Sequence, residues 1–505
     1  MPVFRSLVTV SLLAILGGCA SLQATDPSHP PESAFVIVGA DGTAIARAIT
    51  TARICPSIEI DGKSSPMAVR APWGAIPLRA GDDGKPRPGP TSTAVLSCET
   101  ALPAGASRVA VAGQALPLPK AQPRRIVVIG DTGCRLKNQE YQACNDPKEF
   151  PFAQVAASAA AWKPDLVVHV GDFHYREAPC PADRPGCAGS PWGYGWDAWK
   201  ADFFTPGKAL LDAAPWIMAR GNHENCVRGG QGWWRFLDPH PMNGRSCDDP
   251  AKDAGADYAD PYVVPIGGDA QFLVFDSANT SYKGFKAGDL RLEKYADTWR
   301  KIDALSKRAR HSIAVDHHPL FNFGAERNAR TGAVRLFGGD AGLIQAFAPF
   351  TPRLLPAGVD VLLSGHVHLW EQTSFATDHP TQFVAGFAGT AEDIVPLPAT
   401  IPDMMPAPGA RVDAMSSWID GFGFMTMERT GPTPGTWSCT TATATRRRPA
   451  RSRAANRSVR WGRCTEESPT WRTRHTFSQM YLPAVHYSCH HRSVSRAARR
   501  RCDQR

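Results

Sequence analysis

Trp216-Ile-Met-Ala-Arg-Gly-Asn222-His223-Glu224 is the stretch of this sequence that decides the fold. Its apolar start, followed by a glycine, is typical of a buried strand that runs into a loop. Three side chains that can bind a metal ion or move a proton come next. Ligands of open α/β sheets lie at the carboxyl ends of strands, so the stretch predicts one wall of a functional site if other strands end similarly.

Four other apolar runs do end similarly, each leading within a few residues into candidate ligands. In chain order they are 126–129 with Asp131, 166–170 with Asp172 and Tyr175, 312–315 with His317 and His318, and 360–363 with His366 and His368. One Gly-Asp pair after a strand is more often a turn or a helix cap. Five such strand ends in one chain predict a shared cleft.

The region around these runs alternates between strand and helix patterns, which predicts an α/β domain from residue 124 to 435. Further strands are predicted at 271–275, 382–387 and 422–428, and helices at 151–162, 197–213 and 287–309. Before this domain, residues 34–120 show short alternating runs between Gly, Pro and Asp turns, so a small all-β sandwich domain is predicted there.

The amino terminus predicts export. Residues 1–18 combine an early arginine, an apolar run and small residues, as in a signal peptide. Leu16-Gly17-Gly18-Cys19 resembles the bacterial lipobox, which implies lipid attachment at Cys19 and a linker at 19–33. We therefore expect a periplasmic or outer-membrane-anchored bacterial lipoprotein.

The cysteines agree with an oxidising compartment. Eight of them lie in one part of the chain, at Cys55, Cys98, Cys134, Cys144, Cys180, Cys187, Cys226 and Cys247. An even number in an exported protein favours disulfides, and pairing in succession would close four short loops. The alternative, a structural zinc site, lacks any CxxC pair there.

The net charge of +9 comes from the end of the chain. Residues 446–505 hold 16 arginines and three acidic residues, so the remainder of the chain is net negative. Residues 436–505 are predicted to be an Arg-rich disordered tail. The tail shows neither apolar periodicity nor interleaved aromatics, and we expect no nucleic-acid partner.

The candidate ligands are carboxylate, amide, imidazole and phenol groups without a thiolate, which suits Fe, Mn or Zn. Their number exceeds what one tetrahedral ion needs. It fits two ions that share a bridging carboxylate, as in two-metal hydrolases.

The order Gly-Asp-x-Gly, Gly-Asp-x-x-Tyr, Gly-Asn-His-Glu, His-x-Pro and Gly-His-x-His resembles the calcineurin-like metallophosphoesterases, nearest to the purple acid phosphatase branch. The resemblance implies a four-layer αββα fold with a dinuclear centre at the carboxyl ends of the strands. It also implies a ligand set: Asp131, Asp172, Tyr175 and His368 for the first metal, and Asp172, Asn222, His317 and His366 for the second.

Two positions leave alternatives open. Many relatives have a histidine where this chain has Gly133, so Tyr175 is the expected substitute, either as a ligand or lying near the metal without bonding to it. His317 fits the His-x-Pro spacing better than His318, which would otherwise face the substrate or lie behind the ligands. Arg228 is a candidate phosphate clamp.

These residues lead to the hypothesis that a metal-bound hydroxide hydrolyses a phosphoester, with His223 as proton donor to the leaving group. Acid-phosphatase-like action on phosphomonoesters is the first choice. Phosphodiesterase or nucleotidase action by the same fold is the alternative. A further alternative is a non-catalytic, metal-stabilised surface binding protein.

Overall fold

The computed structural model describes residues 30–80, 86–87, 93–137, 140–328, 330–392, 394–397, 401, 405–429, 437–446 and 471–473. The predicted signal peptide at 1–18, Cys19 and most of the linker lie outside the described residues. None of the helices in the described part of the chain has the length and apolarity that crossing a bilayer requires.

Strands dominate the architecture. In the first part of the chain they are β1 (Ser33–Val38), β2 (Ala44–Thr50), β3 (Ser57–Ile60), β4 (Lys63–Pro66), β5 (Ala68–Gly74), β6 (Arg79–Ala80), β7 (Pro86–Arg87), β8 (Val95–Ala101), β9 (Val109–Val111), β10 (Gln114–Ala115), β11 (Arg125–Ile129), β12 (Leu136–Lys137) and β13 (Glu140–Tyr141). In the second part they are β14 (Leu166–His169), β15 (Trp216–Met218), β16 (Tyr262–Pro265), β17 (Ala270–Val274), β18 (His311–Val315), β19 (Gly324–Arg327), β20 (Val334–Phe337), β21 (Val359–Ser364), β22 (Trp370–Phe375), β23 (Thr381–Ala385), β24 (Val412–Trp418), β25 (Gly421–Arg429), β26 (Trp437–Arg446) and β27 (Trp471–Thr473).

The helices are α1 (Phe152–Ala161), α2 (Trp196–Trp199), α3 (Thr205–Leu211), α4 (Gly230–Gly232), α5 (Asp253–Ala256), α6 (Leu290–Ser306) and α7 (Ala341–Phe347). A π-helical turn at Lys200–Phe204 joins α2 to α3. The three helices predicted from the sequence correspond to α1, to the α2–α3 segment and to α6. Each predicted strand of the α/β region is also present, within one or two residues of its expected ends.

Two large sheets form the centre of the molecule. The ten-stranded sheet has the order β27-β26-β25-β11-β14-β15-β1-β2-β8-β5, and the seven-stranded sheet has the order β16-β17-β18-β21-β23-β22-β24. In the first sheet β11, β14, β15 and β1 are parallel, as are β17, β18, β21 and β23 in the second.

The packing confirms the predicted four-layer αββα fold. Buried side chains such as Val128, Val168, Ile313 and Leu363 fill the space between the two sheets. The other face of the ten-stranded sheet packs on α1 and α3, and the other face of the seven-stranded sheet packs on α6 and α7. Near-continuous apolar strands such as Arg125–Ile129 follow from burial on both faces.

Residues 33–115 are all-β, as expected, but one layer of their sandwich belongs to the main sheet. Ile37 in β1 pairs in parallel with Trp216 in β15, so β1, β2, β8 and β5 continue the ten-stranded sheet. A separate sheet, β10-β9-β3-β4, covers them, and a small core that includes Val36 and Ile58 lies between. The sequence pattern predicted these strands without indicating their sheet partners.

The expected disordered tail begins with an ordered strand. Residues Trp437–Arg446 form β26, which pairs antiparallel with β25 along its length. The Thr-rich stretch before the first arginine run has the β-branched residues that strands favour. The sheet therefore extends past the predicted boundary at residue 435, and most of the remaining tail lies outside the described residues.

The disulfides follow the predicted pairing in succession. They join Cys55 to Cys98, Cys134 to Cys144, Cys180 to Cys187 and Cys226 to Cys247. Four disulfides are the pattern of exported proteins.

Candidate metal centre

The predicted ligands meet where the carboxyl ends of both sheets face each other. Strands β11, β14 and β15 bring Asp131, Asp172 and Asn222 from the ten-stranded sheet, and β18 and β21 bring His317 and His366 from the other. Side chains at the ends of neighbouring parallel strands share one edge, which explains why residues far apart in sequence converge.

Four donor groups surround the position expected for the first metal ion. The Tyr175 hydroxyl lies 3.0 Å from Asp131 Oδ1, 2.7 Å from Asp172 Oδ2 and 3.0 Å from His368 Nε2. His368 Nε2 is 3.2 Å from Asp131 Oδ1, and its Nδ1 contacts the Ala391 carbonyl at 2.9 Å, which fixes the ring.

A second set of donors adjoins the first through Asp172. His317 Nε2 lies 3.2 Å from Asp172 Oδ2 and 3.0 Å from Asn222 Oδ1, and His366 Nδ1 lies 3.1 Å from the same amide oxygen. His317 Nδ1 contacts the Val170 carbonyl at 2.9 Å, so Nε2 is the atom that faces the centre. Asp172 Oδ2 is thus common to both sets.

These residues fit a pair of cations. Donor atoms at right angles around an ion with bonds of about 2.1 Å lie about 3 Å apart, which is the spacing seen here. Asp131, Asp172 and His317 already form one group of possible ligands, and His317, His318 and His366 form another. Two carboxylates and a phenol packed together out of water require positive charge nearby.

The pKa values reflect this crowding. Burial and then the carboxylates of Asp131 and Asp172 raise the pKa of Tyr175 well above its ordinary value. Burial alone would raise the pKa of Asp172, but the imidazoles of His317 and His223 outweigh it and hold that pKa well below its ordinary value. Burial opposes protonation of His317, yet the charge of Asp172 raises its pKa to about 10.

The backbone is strained where it presents the donors. Asp131, Asp172 and His366 have φ of 54°, 59° and 69°, in the left-handed region that such residues rarely adopt. Each such residue costs about 1–3 kcal/mol and persists only where its surroundings enforce it. Gly221 makes room for one of them, because a Cβ there would lie 2.1 Å from Asp172 Oδ1.

The departure at Gly133 has a steric reason. A Cβ at this position would lie 2.8 Å from the Tyr175 amide nitrogen and 2.9 Å from Asp202 Oδ2. No side chain therefore fits after Asp131 at that position, and the Tyr175 hydroxyl lies between the other donors instead.

His223 lies buried beside Asp172. Its amide donates to Asp172 Oδ1 at 2.9 Å, and its Nδ1 is 2.6 Å from Glu177 Oε1. Its Nε2 is 3.9 Å from Asp172 Oδ2. Burial, followed by the charge of Arg228, lowers the pKa of His223 to about 3.

Arg228 lies against the His223 ring, with Nη2 2.7 Å from Nε2. Its Nε donates to Glu177 Oε1 at 2.9 Å and its Nη1 donates to the Asn222 carbonyl at 3.2 Å. The sequence did not single out Glu177, because nothing in the spacing shows which residue of the loop after Tyr175 would reach His223.

Glu224, which the sequence left without a role, holds the loop that carries Asp172. Its carboxylate accepts from the amides of Asp172 at 3.1 Å, Phe173 at 2.9 Å and His174 at 3.1 Å. It also accepts from the Gly221 amide at 3.1 Å, so that two ligand loops are tied together.

The remaining predicted residue, His318, lies beside the second set. Its ring centroid is 4.3 Å from that of His366, and its Nδ1 is 3.3 Å from Ser277 Oγ. Burial, then the charges of His366 and His317, lowers its pKa well below the ordinary value.

Asp202 binds the two loops that follow Asp131 and Asp172. It is fully buried and accepts from the amides of Cys134, Tyr175 and Arg176 at 3.0, 2.7 and 3.1 Å. It also forms a 2.6 Å ion pair with Arg176 Nε. One carboxylate thereby connects the loops that follow Asp131 and Asp172.

We predict that Asp202→Asn lowers the free energy of unfolding by about 3–5 kcal/mol, because the buried Arg176 loses its counter-charge. Urea denaturation measures the change. Asp297→Asn, in an exposed pair with Lys301, is the control and should cost less than about 1 kcal/mol. Equal effects of the two substitutions would contradict the role given to Asp202.

Three of the four disulfides close loops that begin a few residues after a candidate ligand. Cys134 follows Asp131, Cys180 follows Tyr175 and Cys226 follows Asn222, each by a few residues. The fourth, Cys55–Cys98, lies in the amino-terminal all-β region.

We predict that replacing both Cys134 and Cys144 by serine lowers stability by about 2–4 kcal/mol and also weakens metal retention. Removing Cys55 and Cys98 in the same way should lower stability only. Denaturation and metal analysis after dialysis against a chelator measure the two effects. Metal retention that falls equally in both variants would show that the effect is general destabilisation.

Comparison with known proteins agrees with this geometry. Residues 124–369 match the family model described as calcineurin-like phosphoesterase. The matched residues make up just under half of the chain and include the candidate ligands from Asp131 to His368. No curated protein matches the chain.

Solved structures show similarity at low identity. A purple acid phosphatase, PPD1 from yellow lupin (Lupinus luteus) seeds, is 14% identical, with 81% of this chain and 72% of that chain covered and a TM-score of 0.49. A structure of PhoD is 12% identical, with 81% and 85% covered and a TM-score of 0.44.

Proposed function

We propose that this protein hydrolyses phosphomonoesters at a dinuclear centre of Fe, Mn or Zn ions. The observation that carries the proposal is the convergence of two donor sets on Asp172 Oδ2, with His223 buried beside them. In the reaction, water adds to phosphorus, the ester oxygen leaves with a proton, and inorganic phosphate and an alcohol result.

The residues divide into two metal subsites and a substrate side. Asp131, Asp172, Tyr175 and His368 would hold one ion, and Asp172, Asn222, His317 and His366 the other. When bound, two such ions lower the pKa of a water from about 15.7 towards 7 and balance the charge on the phosphoryl oxygens.

The chain's own residues supply the proton transfer. Glu177 accepts from Nδ1 of His223 and leaves Nε2 as the atom that exchanges a proton with the ester oxygen. Arg228, held by Glu177 beside the same ring, orients a phosphoryl oxygen by charge-assisted hydrogen bonding. His318 contacts the substrate from the side of His366.

Burial of the centre favours a terminal phosphoryl group. Asp131, Asp172, Tyr175 and His317 are almost fully buried, while His366 and Asn222 are half-buried and face the opening. A centre whose donors are mostly buried accepts a group at the end of a molecule more readily than a diester within a chain.

A substrate panel on metal-analysed protein tests the proposal. Turnover of p-nitrophenyl phosphate should exceed that of bis-p-nitrophenyl phosphate and of nucleotides, with about two ions per chain. Faster turnover of the bis-ester would favour the diesterase alternative. No turnover with any divalent or ferric ion would refute the proposal.

We also propose that the protein is exported and anchored to a bacterial membrane through a lipid on Cys19. The apolar run before Cys19 and the four disulfides support this location. Labelling with a radioactive fatty acid should mark the wild-type chain and not the Cys19→Ala variant.

A further inference from the structure

Lys137 is a half-buried cation beside the centre that the proposed mechanism does not use. It ends β12, whose other residue, Leu136, is fully buried. The Leu136 amide donates to the Tyr175 carbonyl at 3.0 Å, and the Leu136 carbonyl accepts from the Glu177 amide at 3.0 Å. The backbone of Lys137 therefore lies directly beside the loop that carries Tyr175 and Glu177.

The position of this backbone is rigid. Lys137 pairs with Glu140 across the β12–β13 hairpin, and the Cys134–Cys144 disulfide closes the base of that hairpin. The Arg135 amide donates to Gln142 Oε1 at 2.9 Å, which ties the two arms again. The half-buried Lys137 side chain therefore starts from a backbone held beside the loop that carries Tyr175 and Glu177.

The neighbouring arginines already form ion pairs with carboxylates. Arg228 pairs with Glu177, Arg135 pairs with Glu140 and Arg176 pairs with Asp202. Within the residues that the structure describes, the Lys137 side chain has no hydrogen bond or ion pair. Burial, and then the charge of Arg228, lowers its pKa. A half-buried ammonium without a counter-ion is a ready site for an anion.

The backbone places Lys137 on one side of the centre. Leu136, the residue before it, is hydrogen-bonded to the Tyr175 carbonyl and the Glu177 amide, and Glu177 pairs with Arg228. The charges of Arg228, Glu177 and Asp172 all act on the Lys137 ammonium, in agreement with this position. An anion there would adjoin the scissile phosphoryl group rather than coincide with it.

We propose that Lys137 binds a second anionic group of the substrate, so that the enzyme prefers phosphomonoesters that carry a carboxylate or another phosphate close to the scissile group. This inference rests on the proposed phosphomonoesterase function. A charge-assisted hydrogen bond of this kind contributes roughly tenfold in binding.

Two substrates that differ in one group test the proposal. Glycerol 2-phosphate and glycerate 2-phosphate share a carbon skeleton, and only the second carries a carboxylate. In the wild-type protein, kcat/KM should be higher for glycerate 2-phosphate. In Lys137→Met, the ratio of the two kcat/KM values should fall about tenfold, mainly through KM for glycerate 2-phosphate.

Two further variants make the result specific. Lys137→Arg keeps the charge and should recover most of the ratio. Lys148→Met removes an exposed lysine from the same region and should leave the ratio at its wild-type value. Metal content, measured in every variant, separates a change in the centre from a change in substrate recognition.

The outcomes are distinguishable. An unchanged ratio in Lys137→Met, with both substrates still hydrolysed, would overturn the role of Lys137 and leave the proposed function standing. A wild-type protein that hydrolyses neither substrate nor any other phosphomonoester would overturn the proposed function itself.

Discussion

Replacing Asp172 by alanine should remove both metal ions and lower kcat/KM by about 10³–10⁵-fold. The ions supply several kcal/mol of transition-state stabilisation, and each 1.36 kcal/mol corresponds to tenfold in rate. Asp172 Oδ2 lies beside donors of both sets, 2.7 Å from the Tyr175 hydroxyl and 3.2 Å from His317 Nε2. Its loss therefore removes a candidate ligand from both metal subsites.

Metal analysis of the purified variant measures this effect independently of turnover. Asp172→Asn should retain the shape of the side chain but lose the negative charge that a bridging position requires, and it should bind less than one ion per chain. Asp297→Asn, on the exposed face of α6, is the control for purification and should keep about two ions. Two tightly bound ions in Asp172→Ala would disprove the bridging role.

The strands and their ligands could be predicted because they depend on local pattern. Apolar runs that end in glycine identify buried strands, and the carboxyl ends of parallel strands must share an edge. Asp131, Asn222 and His366 could therefore be expected in one cleft although each lies far from the others in sequence. Strand order brings them to one edge, where His366 Nδ1 lies 3.1 Å from Asn222 Oδ1.

The supporting residues could not be predicted in this way. Glu177, Glu224 and Asp202 act through contacts with backbone amides or with side chains of other loops, and these depend on loop conformations that no periodicity encodes. All three are buried carboxylates, which are rare unless paired. Burial of an acid is visible only once the packing of the loops is known.

Strand partners were likewise beyond the sequence pattern. The alternation in β1 indicates a strand but carries no information on whether its neighbour is β15 or a strand of a separate sandwich. The pairing of Ile37 with Trp216 decides it, and it depends on the apolar surface that both strands bury. The composition of residues 436–505 predicted disorder, but β26 is a strand. The arginines that follow β26 dominate the composition of that segment.

Replacing His223 by alanine should lower kcat by about 10²–10⁴-fold while the metal content stays at the wild-type value. The ring lies against that of Tyr175, with centroids 3.7 Å apart, and its Nε2 is 3.9 Å from Asp172 Oδ2. Its backbone amide makes the 2.9 Å hydrogen bond to Asp172 Oδ1. The substitution keeps that amide, so the bridging carboxylate remains in place. Steady-state kinetics and metal analysis of the same sample measure the two quantities.

Glu177→Gln tests the arrangement behind the ring. The glutamine can still contact Nδ1 but no longer balances the charge of Arg228, so kcat should fall less than in His223→Ala.

Because His223 acts on the leaving oxygen, its loss should lower kcat least for substrates whose leaving group needs no proton. The fall in kcat caused by His223→Ala should accordingly be smaller with p-nitrophenyl phosphate than with glycerol 2-phosphate. An equal deficit with both, or loss of metal from the variant, would move His223 from proton transfer to a structural or ligating role.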